Sequence, residues 1–407
     1  MRHSMRSIGV LASCAVLISA AAAFAQDWPQ WRGPHRDGKV AFTAPATWPK
    51  TLTKKWTTEV GLGDATPALV GDKLYVFTRQ GDDEVLLCLN AADGKELWRN
   101  KYAAEAIGGP ASRQHAGPRS SPAVADGKVV TLGVEGMVSC VDATDGKLVW
   151  RKNDFPGKWP RFYTAMSPLV VDGMAILQLG GGAGAFVAYD LADGTQKWKW
   201  AGDGATYASP VPMTVDGTKL IVAQTDKRMI ALGAADGKLL WEVPFAPTGM
   251  AYNAITPIVD GQTLIYSGQK RGIKAVKFEK KGDGVEATEL WSNPQLGSQF
   301  STPVLENGLI FGLSDGGNFF CIDAKTGKTA WTDAVKRGGY GGILDAGSII
   351  LALTSKSELA VFQATDKAYT QVAQIKLSET PTYASPIASG KRVFVKDEDK
   401  LTMWLVE

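Results

Sequence analysis

Apolar and polar residues alternate along most of the chain with a period of two, in short runs broken by Asp-Gly, Thr-Gly and related pairs. This is the pattern of half-buried strands joined by tight turns. The clearest run is Val138 to Trp150, VSCVDATDGKLVW, which predicts a strand, a turn at Asp145-Gly146 and a second strand ending on tryptophan. The same frame recurs as LLCLNAADGKELW, FVAYDLADGTQKW, MIALGAADGKLLW and FFCIDAKTGKTAW, ending at Trp98, Trp198, Trp241 and Trp331. A small residue (Cys88, Cys140, Ala188, Ala231 or Cys321) stands ten before each tryptophan, and a glycine (Gly94, Gly146, Gly194, Gly237 or Gly327) stands four before it.

Each repeat opens on a Ser/Thr-Pro pair: Thr66-Pro67, Ser121-Pro122, Ser167-Pro168, Ser209-Pro210, Thr256-Pro257, Thr302-Pro303 and Ser385-Pro386. Proline can begin a strand without donating to a neighbouring ladder. Two short strands follow it, then the strand–turn–strand frame. Four strands recurring every ~40–50 residues predict an all-β chain folded as a β-propeller.

The gap from Pro303 to Pro386 holds two periods, so a degenerate blade is expected at Gly341 to Leu377, where no terminal tryptophan appears. The last blade, Ser385 to Glu407, has room for three strands. The strand Thr53–Val60, carrying Trp56, is expected to supply its fourth and close the ring, leaving no open sheet edge. The count is eight blades, with seven as the alternative. Blade five carries an insertion, FEKKGDGVEATEL, that delays its tryptophan to Trp291. Long connectors run over Tyr102 to Arg119 and Asn153 to Met166, where a rigid scaffold can carry binding residues.

The first 25 residues break the pattern. Arg2 and Arg6 precede an apolar, alanine-rich run that ends at Ala23-Phe24-Ala25, which predicts a signal peptide cleaved after Ala25 and a periplasmic or secreted protein. Leu11-Ala12-Ser13-Cys14 resembles a lipidation box, so a lipoprotein anchored through Cys14 is the alternative, disfavoured because the apolar run continues beyond the cysteine. No transmembrane span is expected. Residues 26–52 read as an ordered N-terminal wrap and 53–407 as a single propeller, acting as a monomer. Removing 1–25 leaves 42 basic against 41 acidic side chains, a balance that offers no footprint for nucleic acid.

These residues resemble the pyrroloquinoline-quinone (PQQ) repeat superfamily of propellers, whose Ala-x-Asp-x-x-x-Gly-x-x-x-Trp signature is matched best at Cys140, Asp142, Gly146 and Trp150. The resemblance covers roughly residues 50–407, and DWPQWRGPHRDG and GPRSSP look like an exported bacterial subgroup. It implies that Trp98, Trp150, Trp198, Trp241, Trp291 and Trp331 dock between blades. The superfamily includes quinoprotein alcohol dehydrogenases and the BamB propeller of outer-membrane barrel assembly. The dehydrogenases carry a disulfide between adjacent cysteines, a calcium site and an acidic base. This chain has no adjacent cysteines and no Cys-x-x-Cys-His.

No catalytic or metal-binding set is expected. Cys88, Cys140 and Cys321 occupy one packing position, Asp142, Asp190 and Asp323 read as turn caps, and the mature histidines are only His35 and His115. Gly180 to Gly184 reads as a hairpin loop. The residues preceding each first strand lie near the propeller axis on one face: Asp64, Arg119, Tyr163, Tyr207, Asn253, Gln299, Phe300, Tyr340 and Tyr383. Arg119, Tyr163, Tyr207, Asn253, Gln299, Tyr340 and Tyr383 are the candidate ligand-binding residues of a central funnel. The alternatives are a water-filled funnel and an Arg119–Asp64 pair that only ties blades together. The expected function is an exported, non-catalytic scaffold or ligand-binding module that takes a protein partner or a small polar ligand through its funnel face, with no cofactor. The alternative is an alcohol or sugar dehydrogenase that uses PQQ with calcium.

Overall fold

The computed structural model describes residues 27–105, 107–109, 115–249 and 251–407. The expected signal peptide, residues 1–25, and Cys14 lie outside them. Eight separate four-stranded antiparallel sheets form a ring, and the chain is an eight-bladed β-propeller with no helix among the described residues. In blade two, Ala123–Ala125, Lys128–Leu132, Val138–Asp142 and Leu148–Lys152 pair in sequence order. Gly341–Asp345, Ile349–Thr354, Glu358–Gln363 and Gln371–Lys376 form blade seven. In blade eight, Thr53–Glu59 pairs antiparallel with Lys400–Leu405, so the two ends of the propeller share one sheet.

The core lies between blades rather than within one. Each hydrophobic cluster joins neighbouring sheets; one joins blades two and three through Val130, Cys140, Trp150, Leu177 and Val187. Middle strands are therefore buried on both faces, as in Asp83–Asn90, while outer strands such as Glu96–Ala103 alternate between exposed and half-buried.

The repeat tryptophan and glycine explain each other. Gly146 has φ +74°, and a Cβ there would run into the Trp98 ring of the preceding blade. Gly194 stands in the same relation to Trp150, Gly237 to Trp198, Gly327 to Trp291 and Gly94 to Trp56. Only glycine both adopts the left-handed turn and leaves room for the docked indole. The indole N–H of Trp150 donates to Leu191 O at 3.1 Å, that of Trp198 to Ala234 O at 3.1 Å, that of Trp291 to Ala324 O at 2.7 Å and that of Trp331 to Thr365 O at 2.8 Å. Two positions depart from the pattern. Trp98 Nε1 is buried without a hydrogen-bond partner, because Tyr75 OH takes the corresponding carbonyl of Ala143. Trp241 packs edge-on against Phe278, 4.8 Å between centroids, on the inner part of the long blade-five hairpin. Asp142, Asp190 and Asp323 each accept a main-chain N–H from the following turn, at 2.7–2.8 Å.

The N-terminal segment does more than wrap. Residues 28–43 insert into the axial channel from the face that carries the first turn of each blade, and they touch all eight blades. Trp28 pairs with Leu69 of blade one, and Val124 N–H of blade two donates to Pro29 O. Arg36 donates to Ser167 O and Pro168 O of blade three and to Pro210 O of blade four. Trp31 Nε1 donates to Thr256 Oγ1 of blade five at 2.9 Å. Arg32 donates to Thr302 O and Pro303 O of blade six at 3.1 and 2.7 Å. Val40 and Thr43 N–H donate to Asp345 O of blade seven and Gly390 O of blade eight. Arg32 and Arg36, only 5% and 2% exposed, both hold positive φ, a strain kept by these anchors.

Candidate functional site

With its far end filled by this plug, the channel becomes a blind funnel: a cavity of about 340 Å³ with Trp31 among its lining residues. One register position builds most of its wall. Asp64, Arg119, Ala165, Tyr207, Ala254, Phe300 and Tyr383 each stand three before the blade-opening proline, and Tyr340 stands three before Ile343, which replaces it in blade seven. Each blade thus contributes one residue to the wall from this position.

The residue just before the proline does a second job. Ser121 N–H donates to Ser167 Oγ (3.0 Å), Ser167 N–H to Ser209 Oγ (2.9 Å), Thr256 N–H to Thr302 Oγ1 (3.1 Å) and Ser385 N–H to Thr66 Oγ1 (2.9 Å). The recurrent Ser/Thr is a blade-to-blade tie around the axis. Blade seven has Gly342 here, where a Cβ would lie 2.7 Å from Ser385 Cα.

Above these ties runs an aromatic belt. Phe162 meets Tyr252 at 5.2 Å, Tyr252 meets Phe300 at 5.8 Å, and Phe300 stacks on Tyr340 at 4.1 Å. Tyr340 meets Tyr383 at 5.3 Å, and Tyr383 meets the His115 ring at 4.6 Å. Arg119 closes the circuit by donating to His115 O at 3.0 Å and to Phe162 O. Burial lowers the Arg119 guanidinium from its ordinary value, partly offset by Asp64, and pushes the Tyr340 phenol up to about 12. Burial also raises Tyr207 and Tyr383.

Of the candidates read from sequence, Arg119, Tyr207, Tyr340 and Tyr383 line the cavity together, with Asp64 and Phe300. Tyr163, Asn253 and Gln299 do not. They lie four or five before their prolines, off the register that faces the axis. Tyr163 stacks on Trp159 and accepts Gly108 N–H at 2.8 Å, bracing the mouth loops. Asn253 is buried, donates to Thr225 O at 2.7 Å and accepts from Arg271 at 2.5 Å. Gln299 is half-buried outside the cavity. Asp64 pairs with His115 Nδ1 at 2.5 Å, not with Arg119, so the Arg119–Asp64 tie does not form. Sequence reading missed Trp31, His115, Phe162 and Tyr252. The first two come from segments without periodicity, and the last two precede the repeat frame.

Among the described residues no group of three or more His, Cys, Asp or Glu is placed to hold a metal. Cys88, Cys140 and Cys321 are free and buried, and burial pushes each thiol up, to about 11 for Cys88.

A family profile described as outer membrane protein assembly factor BamB matches residues 36–115 and 82–333. The factor of that name from Burkholderia pseudomallei is 24% identical over 356 residues, which cover 84% of this chain and 85% of its own length. Quinohemoprotein alcohol dehydrogenase ADH IIB of Pseudomonas putida is 30% identical over 202 residues, but these are 44% of this chain and 26% of that enzyme. Among solved structures, BamB from Moraxella catarrhalis superposes with a TM-score of 0.66 at 16% identity, covering 88% of this chain and 98% of that one. Quinohemoprotein alcohol dehydrogenase from Comamonas testosteroni superposes with 0.70 at 15% identity, covering 93% and 80%. Those two likenesses concern the fold. The matched profile, which spans most of the repeats, goes further: the chain belongs to the BamB family of PQQ-like β-propellers.

Proposed function

We propose that this protein is an exported, non-catalytic propeller that binds partners through the mouth of its funnel, as a scaffold in envelope assembly. The observation that carries this reading is the blind funnel itself. Its far end is filled by the chain's own residues 28–43, while its near end presents an aromatic belt broken by one guanidinium. Concave, largely apolar surfaces with a few fixed polar groups are where ligands and partners seat. The relatives' name, outer membrane protein assembly factor, agrees with a protein partner.

The dehydrogenase alternative fits poorly. Asp64 is the one carboxylate on the described cavity wall, and it is spent on His115. Among the described residues, the cavity wall therefore offers no set of carboxylates to hold a calcium-bound quinone and no unengaged acidic base.

Site-specific photo-cross-linking in cells tests the binding reading, with the cross-linker at Tyr340 on the mouth and at Lys391 on the plug face. A discrete adduct from Tyr340 and none from Lys391 is expected; equal labelling from both faces would contradict it. Purified protein given PQQ and calcium should not reduce an electron-accepting dye with alcohols or sugars. Turnover that requires PQQ would replace the scaffold reading.

A further inference from the structure

The polar groups of the funnel are unequal in kind. Ser167 Oγ accepts Ser121 N–H and Ser209 Oγ accepts Ser167 N–H, so each has a lone pair taken. Thr256 Oγ1 accepts the indole N–H of Trp31 at 2.9 Å, and Tyr207 OH accepts Phe162 N–H at 3.1 Å. A hydroxyl carries one donor and two acceptor sites. In these four an acceptor site is filled by protein, while the O–H proton still needs an acceptor. Arg119 adds a guanidinium on the cavity wall, each of whose Nη groups gives one bond to a mouth-loop carbonyl and keeps a second N–H. Against these donors stands the single wall carboxylate, Asp64, already engaged by His115 at 2.5 Å.

The charge beneath the cavity has the same sign. Arg32 and Arg36 are buried in the plug and hydrogen-bonded mainly to main-chain carbonyls, with Asp37 the only acidic side chain that bears on Arg32. Each of the four hydroxyls keeps one O–H donor and one lone pair, so the preference of the site is set by its fixed charge: Arg119 on the wall, with Arg32 and Arg36 beneath it. A cationic ligand would face the like charge of Arg119, whereas an oxyanion can accept from the guanidinium and several hydroxyls at once. The belt of rings then covers a flat apolar body, with Phe300 and Tyr340 already stacked as one wall.

We infer that the funnel takes a carboxylate carried on a compact apolar or aromatic body, the oxyanion seated among Arg119, Tyr207, Ser167, Ser209 and Thr256 and the body against the aromatic belt. This rests on the mouth being the binding face, and it names the chemistry received there. A free small carboxylate and an acidic side chain of a partner protein share that chemistry.

Three probes of nearly equal shape decide it: benzoate, benzamide and benzylamine, titrated into the full-length mature protein at pH 7 by calorimetry. Benzoate should bind at least tenfold more tightly than benzamide, and benzylamine more weakly still. Arg119→Gln should weaken benzoate at least tenfold and leave benzamide unchanged. If that variant does not fold, Tyr207→Phe, which removes one O–H and keeps the ring, should weaken benzoate about threefold with benzamide unaffected. A blocked tetrapeptide with glutamate beside phenylalanine identifies the source. Displacement of benzoate by the peptide assigns the site to a partner's side chain, and its failure assigns it to a free molecule. Benzylamine binding as well as benzoate, equal binding of benzamide, or no binding of any probe at millimolar concentration would overturn the inference. Mouth-specific cross-links that persist in that case would leave the scaffold reading standing, whereas their loss would remove both.

Discussion

The two ends of the axial channel use the same side chain for opposite purposes. At the plugged end, Arg36 and Arg32 spend their guanidiniums on carbonyls of blades three, four and six, and burial holds them down at about 9 and about 10. At the open end, Arg119 gives two bonds to the mouth loops and lines the cavity, beside hydroxyls whose protons have no acceptor among the described residues. A buried cation saturated by main-chain oxygens is structure: it stabilises the ring because removing it strands several acceptors together. Donors left without acceptors at a concave mouth are a preference for something outside the chain.

The largest effect expected from this contrast is at the plug. Arg36→Ala should cost about 3 kcal/mol in urea unfolding, since it leaves several buried carbonyls unpaired. Arg36→Lys should recover little of that, because an ammonium cannot span two blades as the planar fork does. A loss no greater than that of an average surface substitution would mean that the plug is peripheral.

Next in size is the blade repeat, which both ends share. Gly146→Ala combines a left-handed φ with a clash against the Trp98 ring, whereas Gly127→Ala meets the same φ in open space. The first should cost about 3 kcal/mol and the second about 1 kcal/mol. Equal costs, read from matched denaturation curves, would show that the tryptophan does not hold the blades in register.

A smaller, pH-dependent effect is expected where the plug meets blade seven. Lys39 Nζ lies 3.0 Å from Glu306 and 3.6 Å from Asp345. Burial, reinforced by Glu306, raises Asp345 from 3.8 to about 7. The folded protein therefore keeps a proton that the unfolded chain releases between about pH 4 and pH 7. The stability from Asp345 is full below that window and falls as pH rises through it. Glu306 is lowered and acts in the opposite sense. Asp345→Asn should remove the fall, so that melting temperature stays nearly level across the window; an unchanged profile would count against the shared-proton pair.

How much of this was legible in the sequence follows from which residues repeat. The tryptophan–glycine frame and the Ser/Thr-Pro openers recur, so the blade architecture could be read from them, including the degenerate stretch at 341–377. The funnel was half legible for the same reason. Tyr207 and Tyr383 share the register of Arg119, while Tyr163, Asn253 and Gln299 were drawn in by proximity although they lie one or two residues off it. The plug was legible only as an ordered wrap. DWPQWRGPHRDG has no period, and nothing local says that Arg36 will meet Pro210, 174 residues away. Contacts of that range depend on the ring closing first.

The smallest expected effects separate folding from binding at the mouth. Tyr207→Phe and Arg119→Gln should each change stability by about 1 kcal/mol or less, since each removes one or two part-buried bonds. A loss as large as that of Arg36→Ala would erase the distinction between the two ends.

The most direct measurement is a crystal of the mature protein soaked in 4-bromobenzoate, with the bromine located by anomalous scattering. A single strong peak is expected inside the funnel, against the Phe300–Tyr340 wall, with the carboxylate toward Arg119. Bromine found only on the outer surface, or within the plugged end beside Arg36, would contradict the division between a structural end and a binding end.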